Sequence, residues 1–348
     1  MKGITVSDET VLVTGGSGFV ATHCIARLLR DGYRVRATVR SLRSRDPVRE
    51  AVREAGAEAN GSLSFAVAEL TGDDGWDQAA AGCAYVLHTA SPFPSAQPKD
   101  ENELIVPARE GTLRVLRAAR GAGVRRVVVT SSFAAISDGH PETERAFTEQ
   151  DWTDTDGPAV SAYAKSKTLA ERAAWNFVDR EGGGLKLSVV NPVGVFGPVT
   201  GSRHSTSIEG VKALMSRKLP AVPRLSFAVV DVRDVADLHL LAMTHPAAVG
   251  QRFIAAAGDA VSYMHIALTL REHLGDGAGR VPTRNLPDWV VRVAARAIPQ
   301  LRELNDNLGV VRHVTNVKAR TVLGWTPRST EDAVIATAVS LLDTGRRR

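Results

Sequence analysis

An apolar run, Val11-Leu12-Val13, leads directly into Thr14-Gly15-Gly16-Ser17-Gly18-Phe19-Val20-Ala21. Few sequence features constrain a fold as tightly as this one. A buried strand ends in a turn almost without side chains, and a helical pattern starts at its far edge. Each small residue has a task in such a unit. Gly15 permits the tight turn out of the strand, Gly18 lets the backbone come close to a pyrophosphate, and Ala21 lets the helix lie against the sheet. The N–H groups and partial positive charge at the helix start then suit an anionic group. No lysine follows the glycines, which excludes the P-loop of nucleotide triphosphatases. The candidate contacts to a dinucleotide here are Thr14, Gly15, Ser17, Gly18, Phe19 and Val20.

The alternation continues to about residue 190. Strands are predicted at 10–14, 34–40, 64–68, 85–89, 127–131 and 186–191, all short and rich in Val, Leu and Thr. Helices are predicted at 19–30, 46–54, 101–122 and 162–180, the last stopped by Gly182-Gly183-Gly184. Apolar strands alternating with helices indicate an α/β doubly wound parallel sheet, the Rossmann arrangement. After Asn191 the chain is rich in Gly, Pro, Ser and Thr, with a helical patch at 208–216; a strand-helix unit then returns at 226–230 and 235–244. Beyond Ala260 the pattern is mostly helical. The expected division is a dinucleotide-binding domain at 1–191, with 224–258 returning to it. Residues 192–223 and 259–348 then form a smaller, mainly helical C-terminal substrate lobe.

Composition narrows the class further. The chain of 348 residues is 44% hydrophobic and 23% charged, as expected of an ordinary soluble globular protein. No uninterrupted apolar stretch approaches the roughly 18–20 residues of a membrane span, and the N-terminus lacks the apolar core of a signal peptide. Cys24 and Cys83 are the only cysteines, too few for a disulfide framework; two reduced, packed thiols in a cytoplasmic protein are expected. The net charge of +5 comes from basic residues spread along the chain, apart from the terminal Arg346-Arg347-Arg348. Such scatter points to solvated surface charge and not to nucleic acid. His23, His88, His239 and His245 lack metal-ligand spacing and are expected to be structural, so no metal is called for. Capping accounts for Asp231, Asp234 and Asp237 around a helix start.

The second strand selects the cofactor. An acid at its end usually binds the ribose hydroxyls of NAD. This strand reads Arg34-Val35-Arg36-Ala37-Thr38-Val39-Arg40, and no acid appears until Asp46. Arg36 and Arg40 share one face by alternation. Arg40, at the strand's end, is placed to meet a 2′-phosphate through its planar fork. The expected cofactor is therefore NADPH/NADP+, with Arg36 the better candidate for a merely solvated arginine.

Tyr163 and Lys167 stand four apart near a helix start and so share a face; Lys165 points elsewhere. A phenol with a pKa near 10 exchanges protons more readily near neutrality if an ammonium stabilises its phenolate. A serine at the end of the fifth strand would hold a carbonyl oxygen and orient the tyrosine. Ser132 is chosen, with Ser131 as the alternative.

These segments together resemble the extended short-chain dehydrogenases/reductases, in their dihydroflavonol reductase and aldehyde (carbonyl) reductase branch. The resemblance rests on TGGSGFVA, the ATVR ending strand two, LHTASPF, the TSS after strand five, YAKSK and NPVGVFGP. It extends through about residue 260. It implies NADPH-dependent reduction of a ketone or aldehyde by Ser132, Tyr163 and Lys167. Thr89, Ala90 and Ser91 would line the cofactor channel, Pro192 and Val193 would lie by the nicotinamide amide, and Glu69-Leu70 would lie near the adenine. Phe93, Phe133 and Phe196, with Val193 and Met215, are candidate walls of a substrate pocket. The residues around the tyrosine depart from the cysteine-containing signature of plant cinnamoyl-CoA reductases. Ile136-Ser137-Asp138 stands where plant dihydroflavonol reductases place a flavonoid-binding asparagine. The family implies a monomer or homodimer acting on a small-molecule carbonyl substrate, with neither membrane nor nucleic-acid partner. Competing functions are a nucleotide-sugar epimerase or dehydratase, a hydroxysteroid dehydrogenase, and an NADP sensor without turnover. Arg40 argues against the epimerases and dehydratases, whose members generally hold NAD through an acidic strand end, and the retained Tyr163 and Lys167 argue against the sensor.

Overall fold

Seven parallel strands form the central sheet of the computed structural model, which describes residues 8–92, 98, 100–201, 205–216, 219–275, 279, 281–297 and 305–346. In chain order the first six are β1 (Thr10–Thr14), β2 (Arg34–Val39), β3 (Leu63–Val67), β4 (Cys83–His88), β5 (Arg126–Thr130) and β6 (Lys186–Pro192). Short strands follow outside the sheet: β7 (Gly194–Phe196), β8 (Val222–Pro223), β9 (Ser226–Phe227) and β10 (Val229–Asp231). The seventh sheet strand is β11 (Arg252–Ala255), and the order across the sheet is β11-β6-β5-β4-β1-β2-β3. The strand order reverses between β1 and β4. The crevice outside their carboxyl ends is where such sheets bind ligands.

Both faces of the sheet are covered, which explains the uninterrupted apolar runs. Helices α1 (Phe19–Arg30) and α2 (Arg45–Glu54), with the later Val232–Thr244 helix, enclose one core against the sheet. On the other face, α3 (Trp76–Ala80), α4 (Asn102–Gly121) and α5 (Ala162–Glu181) enclose the second. Ser161 caps α5, its hydroxyl accepting from Ala164 N at 3.1 Å. A third core lies outside the sheet. It joins Phe196, Val211, Leu214, Tyr263, Ile266 and Val334, drawn from β7, α6 (Thr206–Met215), the Tyr263–Leu274 helix and the Thr330–Arg346 helix.

The returning segment differs from expectation. The predicted strand at 226–230 is two short pieces. β9 pairs antiparallel with Val261–Ser262, and β10 pairs with β7; neither joins the main sheet. The strand that does join is β11, which pairs with β6 from Arg252↔Val189 to Ala255↔Pro192. At four residues β11 is too short to show a pattern, and only its pairing with β6 defines it. Asp231 starts the following helix earlier than expected, its carboxylate accepting from Arg233 N at 2.8 Å.

Candidate active site

The glycine turn is shaped by its neighbours as much as by its own backbone. Gly15 has φ +68°, and a Cβ there would lie 3.0 Å from Ala90 Cα and Cβ. Gly16 is as crowded, with a Cβ position 2.8 Å from Ala37 Cβ. Gly15 N donates to Thr38 Oγ1 at 2.9 Å and Gly16 N to Thr38 O at 2.8 Å, fixing the turn to β2. Thr14 fixes it to β4. Its hydroxyl accepts from Ala90 N at 3.0 Å and lies 2.8 Å from His88 Nδ1, while Thr89 Oγ1 donates to Thr14 O at 2.6 Å. Two predicted channel residues, Thr89 and Ala90, are thereby laced to the turn; Ser91 follows, half-buried. No side chain caps α1 at Gly18, and Thr22 N makes the bond to Gly18 O at 2.9 Å. The N–H groups of Phe19, Val20 and Ala21 precede that bond and have no intrahelical acceptor, as at the start of any α-helix. Ser17 is half-buried in the same turn.

Arg36, in β2, and Arg40, just after it, separate sharply. Arg36 donates to Ala79 O at 2.9 Å and Ala81 O at 2.7 Å, binding the carboxyl end of α3. Arg40 is exposed at the strand's end and has no partner among the described residues. Glu69 is exposed and Leu70 half-buried under α4, where a Cβ on Gly111 would lie 2.8 Å from Leu70 Cδ2.

Ser132, Tyr163 and Lys167 come together at the ends of β5 and α5. The Ser132 hydroxyl hydrogen-bonds the half-buried Tyr163 side chain and also accepts from Ala134 N at 3.2 Å. Ser131 is directed away, its Oγ donating to Glu171 Oε2 at 2.5 Å. Lys167 Nζ lies 5.9 Å from the Tyr163 ring centre and donates to Thr130 O at 3.2 Å. Lys165 instead pairs with Glu101 at 2.8 Å. Burial raises the Tyr163 phenol above its ordinary value; the Ser132 hydrogen bond opposes that rise and the Asp138 charge adds to it. Burial lowers Lys167 to about 8, while the Glu171 carboxylate acts in the opposite sense. Burial is the largest influence on both groups.

Behind the serines lies a polar cluster that pattern reading missed. Glu171 is fully buried and accepts from Ser131, Asn191 and Arg252, the last at 2.5 Å. Glu171 is one turn past Lys167 and two past Tyr163. A carboxylate on the same helix face as two candidate catalytic groups was the available signal.

Among the candidate pocket walls, Phe133 is half-buried beside the serine and meets Phe147 edge-on at 6.1 Å. Val193 is half-buried after β6 and Pro192 is buried. Met215 is half-buried against the third core. Phe196 is 1% exposed and stacks on Phe227 in that core at 6.1 Å, so its ring does not reach a cleft surface. Alternation along β7 sends this side chain to the side on which α6 and the Thr330–Arg346 helix pack. Phe93 lies outside the described residues. His88 and His239 are buried and hydrogen-bonded, as is His23 to Pro198 O at 3.0 Å. No helix among the described residues is long and apolar enough to cross a membrane.

Comparison with known proteins agrees with this geometry. The model of the NAD-dependent epimerase/dehydratase family matches residues 11–257. The chain belongs to that family. Within it, the extended short-chain dehydrogenases/reductases, the relatives fall in the carbonyl reductase and dihydroflavonol reductase branch. The ketoreductase azaE of Aspergillus niger is 32% identical over 355 residues, covering 96% of this chain and 98% of the relative. A putative NADPH-dependent methylglyoxal reductase of Candida albicans is 36% identical over 268 residues, covering 72% and 79%. Among solved structures, the yeast methylglyoxal/isovaleraldehyde reductase Gre2 complexed with NADPH aligns with a TM-score of 0.80 at 29% identity, covering 97% of this chain and 100% of that one. The family match begins at the first residues of β1 and ends just after β11, so it spans all seven sheet strands.

Proposed function

We propose that the chain is an NADPH-dependent carbonyl reductase that converts a ketone or aldehyde to the alcohol. The observation that carries the reading is the Ser132–Tyr163 hydrogen bond at the mouth of the crevice, with Lys167 beneath it. The donor set fits the cofactor. The uncapped start of α1 offers N–H groups to a diphosphate, and Arg40, without a partner among the described residues, stands where a 2′-phosphate would come. Thr14, Gly15, Ser17, Gly18, Phe19 and Val20 would hold the diphosphate side. Glu69 and Leu70 would border the adenine, Thr89, Ala90 and Ser91 would line the channel, and Pro192 and Val193 would border the nicotinamide. When bound, NADPH supplies the hydride. The protein does the rest. Ser132 and Tyr163 hold the carbonyl oxygen by two hydrogen bonds, and Tyr163 gives that oxygen its proton. The phenolate left behind is stabilised by the Lys167 ammonium and takes its proton back from solvent.

Small 2-oxoaldehydes and ketones are the favoured substrate class, supported by the names of the relatives. Residues 192–223 and 259–348 would form the substrate lobe over a dinucleotide domain made by 1–191 and 224–258. The third core and the return of β11 to the sheet support this division. Two free, buried cysteines accord with a cytoplasmic enzyme.

The test follows loss of NADPH absorbance, with NADH in parallel, against methylglyoxal, ketoesters and aryl ketones. Consumption of NADPH with little of NADH is expected. Tyr163→Phe should lower turnover by about 10²–10⁴-fold while NADPH still binds. Turnover on no carbonyl, or a Tyr163→Phe variant as active as the parent, would overturn the reading.

A further inference from the structure

We propose that Glu171 is a positioning residue for the reaction, holding Ser132 in register with Tyr163 through Ser131 and Asn191 and setting a fixed negative charge opposite Lys167. The inference rests on the reading of Ser132, Tyr163 and Lys167 as the catalytic group.

Donors from three elements converge on this one carboxylate. Ser131 Oγ donates to Oε2 at 2.5 Å, from the chain position next to the candidate catalytic serine. Asn191 Nδ2, on β6, donates to Oε2 at 2.8 Å and to the carbonyl oxygen of Ser132 itself at 3.2 Å. Arg252 Nε, on β11, donates to Oε1 at 2.5 Å, with Nη2 at 3.3 Å from Oε2. Trp175 Nε1 adds a contact to Oε1 at 3.3 Å. Glu171 thereby pins both backbone neighbours of the Ser132 hydroxyl, the residue before it and its own carbonyl.

The orientation of Asn191 shows how firmly this is set. Its NH₂ group faces two acceptors, so the amide cannot flip without turning its oxygen onto them. That choice leaves Asn191 Oδ1 buried with no partner among the described residues. Arg252 holds the carboxylate from behind. Its Nη1 donates to Glu149 O and Asp151 O, each at 2.9 Å, and its guanidinium lies 3.7 Å from the Trp152 ring centre. A buried ion pair is a weak source of stability against apolar replacement. Packing of α5 on the sheet would be served as well by leucine at 171; positioning would not.

The charge has a second target. Lys167 and Glu171 border one cavity of about 10 Å³, which Thr130, Ser131 and His88 also line. Such a space takes one water at most, so little screens the ammonium from the carboxylate. Among the described residues, the ionisable groups near Lys167 are Tyr163 and Glu171 on its own helix, His88 from β4 and, beyond Thr130, the uncharged His239 of the Val232–Thr244 helix. Among the described residues, α4 contributes only Ala108 and Thr112 to that cavity, and β5 with the residue after it only Val129, Thr130 and Ser131. His88 is neutral, its pKa lowered by burial to about 3. Among the described residues, Glu171 is therefore the carboxylate placed to keep Lys167 charged.

The experiment compares Glu171→Gln, the paired variant Glu171→Gln/Arg252→Met, and Ser131→Ala with the parent enzyme, using methylglyoxal or whichever carbonyl the parent turns over best. The paired variant removes both buried charges, so a fold lost to an unpaired arginine does not obscure the result. Ser131→Ala keeps the ion pair and reads the hydrogen-bond arm alone. Folding is followed by circular dichroism and NADPH binding by fluorescence. Loss of the carboxylate should lower kcat about 10- to 100-fold, with the KM for the carbonyl and NADPH binding changed by less than about threefold. It should also move the alkaline limb of kcat down by about one pH unit. Ser131→Ala should lower kcat by a smaller factor and leave the limb in place. Folded variants with parental kcat and an unmoved limb would overturn the proposal. Tyr163→Phe runs alongside. If it is active, the catalytic reading itself fails; if it is inactive while the Glu171 variants match the parent, only the positioning role fails.

Discussion

Arg36 and Arg40 sit four residues apart on one face and have opposite fates. Arg36 is bound to the carbonyl end of α3, whereas Arg40 meets no protein partner among the described residues. Arg40→Ala should raise the KM for NADPH by about 10- to 100-fold, equivalent to about 1.5–3 kcal/mol for a charged hydrogen bond. NADH should be unaffected. Steady-state kinetics with both cofactors decides it, and equal effects on the two would remove Arg40 from the 2′-phosphate. Lys167 gives the second residue-scale prediction. Its pKa is lowered by burial to about 8, so the ammonium is lost as pH rises through that value. The free enzyme's kcat/KM should therefore fall above about pH 8, and a profile flat to pH 10 would count against the role of Lys167. The spacing of Tyr163, Lys165 and Lys167 was enough to tell the two lysines apart, because helix geometry alone separates positions two and four apart.

At the scale of the element, the β1–turn–α1 unit was legible because its information lies within a dozen consecutive residues. What the turn packs against was not legible. Gly15 is excluded from larger side chains by Ala90, which is brought there by the Thr14–Ala90 and Thr89–Thr14 hydrogen bonds. Gly15→Ala should cost about 1–2 kcal/mol from its positive φ alone. Pushing Ala90 away should also weaken NADPH binding. Gly82, with φ +70° and open space around its Cβ position, is the control. Gly82→Ala should lose similar stability in urea and bind NADPH normally. Equal binding by both variants would separate the turn from the cofactor. The end of β5 teaches a similar lesson. Ser131 and Ser132 are equivalent in pattern, and alternation says only that they face opposite ways. Glu171, forty residues on, takes one of them and so leaves the other for Tyr163.

Over the whole molecule, three buried histidines link distant elements while uncharged. Thr112 Oγ1 donates its proton to Ala108 O, so His88 Nε2 donates to Thr112 and Nδ1 accepts from Thr14. His239 Nδ1 donates to Val235 O, and its Nε2 accepts from Thr130 Oγ1 at 2.7 Å, beside the Lys167 site. His23 links α1 to Pro198. Burial lowers these groups to about 3 for His88 and about 4 for His23 and His239. Each folded pKa lies below the unfolded value of 6.5, so the stability they contribute is complete above pH 6.5. It is lost as pH falls toward 4, because the unfolded chain takes up protons that the fold refuses. Each histidine should account for about 1–3 kcal/mol. Urea titrations at pH 7 and pH 4.5 should show this loss, and His239→Gln should reduce it; equal stability at the two pH values would contradict it.

By itself the sequence determined what short-range geometry can write. That includes the doubly wound alternation, the glycine turn opening α1, the helix face shared by Tyr163 and Lys167, and the absence of an acid at the end of β2. Each is a periodicity or spacing inside one element. Tertiary structure decided whatever depends on partners remote in the chain. It brought β11 to the sheet edge and took Phe196 into the third core. It committed Arg36 to α3 and Ser131 to Glu171, and it assembled the Glu171–Asn191–Arg252 cluster behind the site. A side chain's rotamer and burial depend on what another element presents to it, and no local pattern records that.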